Sequence, residues 1–231
     1  MSSDPTTTRR LYGRRQGHKL RLGQAALVEA LLPRVAVPGG ALDAAAMFGD
    51  ARPLWLEIGF GAGEHLAAQA AAHPDVGLIG CEPFLNGVAA ALGHLRDAGL
   101  GNVRVHMGDA LDVLDRLAPA SLDRVFLLHP DPWPKARHAK RRLVNPGPLD
   151  LLASRLAPGA LLRIGTDHPV YLRWTLMQMA ARRDFEWLAA APSDWQARPA
   201  DWPPTRYEAK ARAQGHEVWY LSYRRVAAAP A

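Results

Sequence analysis

Cysteine is almost absent from this 231-residue sequence, which contains only Cys81. A single cysteine excludes an intramolecular disulfide and a zinc site of clustered cysteines, and it fits a reducing compartment. No apolar run approaches the ~18 residues needed to span a membrane. The basic residues before position 22 are not followed by the apolar core of a secretory signal. We therefore expect a cytoplasmic chain that has no membrane span and binds no metal.

Acidic residues are missing from two stretches that are rich in arginine and lysine. No Asp or Glu stands between Asp4 and Glu29, and none stands between Pro132 and Leu149. The whole chain carries 28 Lys and Arg residues against 22 Asp and Glu residues, a net charge of +6. Because contacts of Lys and Arg with phosphates release counterions, this balance is typical of proteins that bind nucleic acid. A solvated basic surface without a partner is the alternative interpretation.

Short apolar runs alternate with helical segments from residue 53 onward. The predicted strands are 54–58, 76–81, 103–106, 123–128, 160–164 and 218–223, and the predicted helices are 64–73, 85–98, 111–117, 149–156 and 170–183. This alternation predicts βαβ units and a mostly parallel sheet with helices on both faces. Residues 191–212 lack periodicity and are interpreted as a long functional loop. We divide the chain into a flexible basic arm at 1–24, one domain at 25–226 and a frayed tail at 227–231.

The glycine motif after the first strand is one residue too short for a dinucleotide-binding fingerprint. Its glycines are Gly59, Gly61 and Gly63, whereas a dinucleotide site has G-x-G-x-x-G. In an open α/β sheet such a loop lies where ligands bind, at the carboxyl ends of the strands. The acids beside it, Glu57 and Glu64, would repel a pyrophosphate but suit a cofactor that carries a sulfonium and an amino group. An ordinary glycine-rich turn is the alternative.

Acidic residues mark the ends of three successive predicted strands. Glu57 lies in the first strand, Glu82 ends the second and Asp109 follows the third. An acid in the place of Glu82 can accept both ribose hydroxyls of a nucleotide-like ligand. Asp109 could accept a hydrogen bond from an adenine amino group. Each acid alone could be a helix cap or a solvated residue, but together they predict an S-adenosylmethionine site.

A proline-rich loop at 129–135 follows the fourth strand and is expected to face the substrate. Its prolines restrict the backbone around Asp131, so the loop can hold one carboxylate and one indole beside the cofactor. The alternative is a connector in which Trp133 covers the core. The basic segment 137–142 comes next and is interpreted as a phosphate-binding segment. Asp167 follows the fifth strand, where its carboxylate could accept hydrogen bonds from guanine N1 and N2.

Four motifs occur in order along the chain and are specific as a set. They are L-E-I-G-F-G-A-G-E at 56–64, P-D-P-W-P-K-A-R-H-A-K-R-R-L at 130–143, G-T-D at 165–167, and T-R-Y-E at 205–208 followed by G-H-E-V-W at 215–219. With this set the chain resembles the bacterial tRNA (guanine-N7)-methyltransferases over nearly its whole length. The resemblance implies a Rossmann-like class I methyltransferase fold, with a seven-stranded sheet in which one strand is antiparallel.

The resemblance also implies roles for individual residues. The implied cofactor-binding acids are Glu57, Glu82, Asp109 and Asp131, next to the loop glycines Gly59, Gly61 and Gly63. The implied substrate-binding residues are Lys135, Asp167, Thr205, Arg206, Tyr207 and Glu208. Asp131 is the implied catalytic residue, and the implied substrate is the variable loop of tRNA, bound by a monomer or homodimer. The chain departs from the family at His129, where phenylalanine is usual, and at residues 209–211, where many members have an arginine and a glycine.

Guanine N7 already carries a free lone pair, so that the predicted reaction needs no strong base. Catalysis can then rest on alignment of N7 with the methyl group, and on stabilisation by Asp131 of the positive charge that the base gains. Three alternatives stay open. Asp131-Pro132-Trp133 partly matches the D-P-P-Y-like motif of nucleic-acid amino-methyltransferases, although the second proline is missing. A nicotinamide-dependent oxidoreductase and a non-catalytic RNA-binding module on the same fold are the other two.

Overall fold

The computed structural model describes residues 15–227 and contains a seven-stranded sheet. The strands are β1 Leu54–Ile58, β2 Gly77–Cys81, β3 Val103–His106, β4 Leu122–Leu128, β5 Leu156–Thr166, β6 Phe185–Trp187 and β7 Trp219–Arg225. Their order in the sheet is β3-β2-β1-β4-β5-β7-β6. β1 to β5 pair in parallel, whereas β7 is antiparallel to both of its neighbours. The mostly parallel sheet and its seven strands are thereby confirmed.

Helices connect the strands and follow local capping rules. They are α1 Leu22–Val35, α2 Ala44–Phe48, α3 Glu64–Ala72, α4 Leu85–Asp97, α5 Ala110–Arg116, α6 Pro146–Arg155, α7 Pro169–Ala180, α8 Ser193–Gln196 and α9 Arg206–Ala213, with a 3₁₀ helix at Ala136–Arg141. Asp109 caps α5 by accepting a hydrogen bond from the amide of Leu111. Proline at the first position of α7 has the φ angle that a helix start requires. Along the described part of the chain, no helix is long and apolar enough to cross a membrane.

Three local predictions differ from the structure. Residues 191–212 were expected to form a loop, but they contain α8 and most of α9. The sequence T-R-Y-E at 205–208 has the spacing of a helix-capping motif, and Thr205 caps α9 by accepting a hydrogen bond from the Glu208 amide. β5 begins at Leu156 and not at residue 160, and β6 was not predicted because three residues are too few to reveal a strand period.

The sheet carries one apolar core on each face. Because successive side chains of a strand point to opposite faces, Leu54, Leu56 and Ile58 belong to one core while Trp55 belongs to the other. The first core contains buried residues of α5, α6 and α7, and the second contains buried residues of α3 and α4. Glu57 stands two residues after Trp55 and therefore points to the same face, on the α3 side of the sheet.

The predicted basic arm is described only from residue 15 onward, and its part at 1–14 lies outside the described residues, as does most of the predicted tail, at 228–231. Residues 15–18 are hydrogen-bonded to the start of α4. The carbonyl of Arg15 accepts from the amide of Leu85 at 2.9 Å. The side chain of Asn86 accepts from the Gly17 amide and donates to the His18 carbonyl, both at 2.8 Å. α1 then begins at Leu22 and packs against α4.

Candidate active site

A cavity of about 700 Å³ opens at the carboxyl ends of β1 and β4, beside the glycine loop. Gly59, Gly61 and Gly63 all have positive φ angles, of 72°, 56° and 79°, which side chains rarely adopt. Gly59 and Gly61 line the cavity. Gly63 does not, but a Cβ atom there would collide with Ala91 of α4. Gly59 and Gly61 are therefore favoured by their positive φ angles alone, and Gly63 is also required by the packing of α3 on α4.

Glu57 reaches this cavity from the middle of the sheet, where its exposed fraction is 2%. Its Oε2 atom lies 2.7 Å from Nδ1 of His65, a side chain of α3 that is also 2% exposed. Nε2 of His65 lies 3.3 Å from Nε2 of Gln69, which donates to the carbonyl of Asp201 at 2.9 Å. His65 was not singled out from the sequence, because its partnership with Glu57 depends on how α3 lies over β1.

Glu82 supports the glycine loop directly. Its Oε2 accepts from the amide of Gly61 at 2.8 Å, and its Oε1 accepts from the amide of Phe84 at 2.9 Å. Burial raises the pKa of Glu82, and the negative charge of Asp131 adds to that effect, whereas the two amide hydrogen bonds offset part of it. Each carboxylate oxygen can accept a second hydrogen bond. Glu82 can thus hold the loop and still bind hydroxyl groups in the cavity.

Asp109 is the predicted cofactor-binding acid that stands apart from the others. Glu57, Glu82 and Asp131 line the same cavity, but Asp109 is not among its lining residues. Its Oδ1 accepts from the amide of Leu111 at 3.0 Å as the cap of α5. The structure therefore brings three of the four predicted acids together, and the adenine contact of Asp109 stays a prediction.

Asp131 lies on a strained loop whose backbone is held by hydrogen bonds from a buried arginine. His129 and Trp133, on either side of it, have φ angles of 47° and 42°, which non-glycine residues seldom adopt. The guanidinium of Arg142 is buried and donates to the carbonyls of Pro132 and Trp133, at 2.9 and 2.7 Å. Arg142 was interpreted as part of a phosphate-binding segment, but its guanidinium fixes the loop of Asp131 instead.

A second cavity of about 650 Å³ meets the first at Asp131. The two cavities share the lining residues His129, Pro130, Asp131 and Tyr207. Asp167 lines only the second cavity, while exposed Lys135 lines neither and precedes the 3₁₀ helix. Asp131 thus stands between two compartments, one beside the glycine loop and one beside Asp167.

Residues 205–208 line the first cavity from the opposite side. Thr205 caps α9 by accepting from the Glu208 amide, and the carboxylate of Glu208 accepts from the Tyr220 hydroxyl at 2.5 Å. Arg206 binds Glu64 through its backbone amide, at 2.6 Å, and through its guanidinium. Tyr207 is 54% exposed, and its ring centre lies 4.5 Å from that of His129. The four residues therefore join α9 to the glycine loop and to the Asp131 loop.

Known proteins with similar sequences identify the family. A family model described as "Putative methyltransferase" matches residues 51–221. A tRNA (guanine-N(7)-)-methyltransferase of Zymomonas mobilis is 59% identical over 96% of this chain and 97% of its own. One of Sphingopyxis alaskensis is 61% identical over the same shares of the two chains. The chain belongs to the tRNA (guanine-N(7)-)-methyltransferase family.

Solved structures agree with this family assignment at the level of the fold. An rRNA methylase from Streptococcus thermophilus has a TM-score of 0.53 and 11% identity, over 89% of this chain and 95% of its own. A SAM-dependent O-methyltransferase from Thermotoga maritima has a TM-score of 0.51 and 14% identity, over 93% and 69%. The chain therefore has a class I methyltransferase fold, as its resemblance to the family implied.

Proposed function

We propose that the protein transfers a methyl group from S-adenosylmethionine to N7 of a guanine in the variable loop of tRNA. The observation that carries this proposal is the junction of the two cavities at Asp131. One compartment has a glycine loop with buried acids, and the other has an acid suited to the donor groups of guanine. Membership of the tRNA (guanine-N(7)-)-methyltransferase family supports both the cofactor and the substrate.

The lining of the larger cavity fits S-adenosylmethionine by its carboxylate charges and its hydrogen-bond acceptors. Four cationic side chains also line this cavity, but Glu57, Glu82 and Asp131 place three carboxylates at its glycine-loop end. Those carboxylates favour a cofactor with a sulfonium and an amino group over one with a pyrophosphate. Glu82 would bind the ribose hydroxyls, and Asp109 would contact the adenine. When bound, S-adenosylmethionine supplies an electrophilic methyl group.

Asp131 would act on the base that enters the second compartment. N7 of guanine needs no deprotonation, so that the protein contributes mainly by positioning. The base becomes cationic on methylation, and a fixed carboxylate beside it stabilises that charge more than it stabilises the neutral base. The buried guanidinium of Arg142 holds the backbone that carries this carboxylate.

Exposed basic residues beside Asp131 provide the surface for the tRNA backbone. Lys135, Arg137 and Lys140 are exposed at and within the 3₁₀ helix that follows the Asp131 loop. Cations at this position would bind phosphates near the target nucleotide. Within the predicted phosphate-binding segment, the exposed cations would therefore bind RNA, whereas the buried Arg142 holds the Asp131 loop.

Nucleoside analysis tests the proposal. Unmodified tRNA is incubated with the full chain and labelled S-adenosylmethionine, then digested, and the nucleosides are identified by mass spectrometry. We expect 7-methylguanosine, located in the variable loop by sequencing of RNase fragments. Methylation of an exocyclic amino group would instead favour an amino-methyltransferase, and tRNA binding without methyl transfer would favour a non-catalytic RNA-binding module.

A further inference from the structure

Two histidines converge on the carboxylate of Asp167 in the second cavity. Nδ1 of His129 lies 3.3 Å from Oδ1 of Asp167, and Nδ1 of His216 lies 3.3 Å from Oδ2. The three residues come from the loop after β4, the end of β5 and the segment before β7. Among residues 15–227, no group of three or more His, Cys, Asp or Glu side chains has an arrangement suited to a metal ion. The cluster therefore requires another explanation.

The hydrogen bonds in this cluster keep Asp167 charged and oriented. Burial alone would raise the pKa of Asp167, but the hydrogen bonds from His216 and His129 lower it below its ordinary value. An ionised carboxylate only accepts, so each Nδ1 must carry the hydrogen and donate it. A carboxylate offers about four acceptor positions, and the two histidines take one on each oxygen. A backbone amide and Tyr207 also contact this carboxylate, so that a ligand gains room on it by replacing Tyr207.

The remaining acceptor positions match one edge of guanine. Guanine presents two neighbouring donors, N1–H and the N2 amino group, and a carboxylate can accept from both. Adenine presents an acceptor at N1 and would be repelled. Burial raises the pKa of Tyr207, and the charges of Asp167 and Asp131 and a hydrogen bond with Asp167 add to that effect. Tyr207 is 54% exposed, so a bound base can replace this contact without disturbing the core.

We propose that His129 and His216 are positioning residues that hold Asp167 for recognition of the N1 and N2 donors of guanine. The inference rests on the function proposed above and adds two residues to it. His129 is the inner partner, since its side chain is 12% exposed and lies on the strained backbone beside Asp131. His216 is the outer partner, with 51% of its side chain exposed. Loss of His216 frees Oδ2 of Asp167, so that the carboxylate can rotate away from the base, whereas loss of His129 leaves Asp167 held by His216 alone.

A comparison of guanine with inosine at the target position tests this inference. Inosine keeps N7 and N1–H but lacks the N2 amino group, so the ratio of kcat/KM for the two tRNAs measures recognition of that group. We expect wild type to prefer guanine by about tenfold or more, as for other paired base contacts. His216→Ala and Asp167→Asn should each bring the ratio close to one, mainly by slowing the reaction with guanine. His129→Phe, which introduces the residue usual in the family, should lower the ratio less, because His216 still holds Asp167.

His138→Ala is the matched control, because His138 lies in the 3₁₀ helix near the site and contacts Trp133 instead of Asp167. Its guanine-to-inosine ratio should equal that of wild type even if its activity falls. Equal ratios in wild type and in folded His216→Ala would overturn the inference, and so would a wild-type ratio of one. His216 is half-exposed, so this variant stays informative if His129→Phe does not fold. Failure of wild type to form 7-methylguanosine would contradict the proposed function itself.

Discussion

Nδ1 of His65 lies 2.7 Å from Oε2 of Glu57, and the two side chains are each 2% exposed. Glu57 thus enters the cofactor compartment already bound to a helix that packs against the sheet. The chain of contacts continues through Gln69 to the carbonyl of Asp201, whose carboxylate pairs with Arg163 at 2.8 Å. The cofactor compartment is therefore connected to the segment that precedes α9 by buried polar groups.

Replacement of His65 should weaken the fold and the cofactor site together. His65→Ala leaves a buried Glu57 oxygen without its partner, which typically costs about 1–3 kcal/mol. We expect that decrease in the free energy of unfolding in urea, and a weaker S-adenosylmethionine affinity in calorimetry. His65→Asn, which can keep a donor, should lose less of both. If His65→Ala unfolds with the wild-type free energy, the contact between His65 and Glu57 does not stabilise the fold.

Replacement of Asp131 should reduce turnover without changing stability. Its side chain is exposed, and its loop is held by the guanidinium of Arg142 and by prolines, not by the carboxylate. Asp131→Ala should lower kcat on the order of 10²-fold, the usual effect of losing one preorganised electrostatic contact. Single-turnover methylation and the melting temperature are the measurements, with exposed Asp97→Ala as the control. Near-normal turnover by folded Asp131→Ala would exclude the catalytic role.

The fold and part of the site could be predicted from the sequence for one physical reason. Parallel strands place their carboxyl ends on one edge of the sheet, so that Glu57, Glu82 and Asp131 were expected to lie together. The partners of those acids could not be predicted in the same way. His65 depends on the rotation of α3 over β1, and the contact of His129 with His216 through Asp167 depends on the packing of three distant segments.

Cofactor binding should depend on pH through Glu82. Burial raises the pKa of Glu82, so this side chain takes up a proton at a higher pH than an ordinary glutamate. Protonation removes a negative charge from the compartment and an acceptor for the ribose. We therefore expect the Kd for S-adenosylmethionine to rise as the pH falls from neutrality towards 5, measured by calorimetry. Glu82→Gln should bind weakly with little pH dependence over that range, and a wild-type Kd independent of pH would contradict the prediction.

Replacement of Lys135 should change the salt dependence of tRNA binding. The side chain is exposed beside the Asp131 loop and lines neither cavity, so a phosphate is the partner that its position favours. Lys135→Ala should raise the KM for tRNA, leave kcat nearly unchanged, and reduce the slope of log K against log salt concentration by about 1. The matched control is Arg224→Gln, which removes one charge from β7, where Arg224 pairs with Glu186 at the far side of the sheet. This control should keep the wild-type slope, because Arg224 lies away from the proposed RNA surface and loss of its charge removes no phosphate contact. If both variants reduce the slope equally, the effect belongs to net charge, and Lys135 does not contact the RNA.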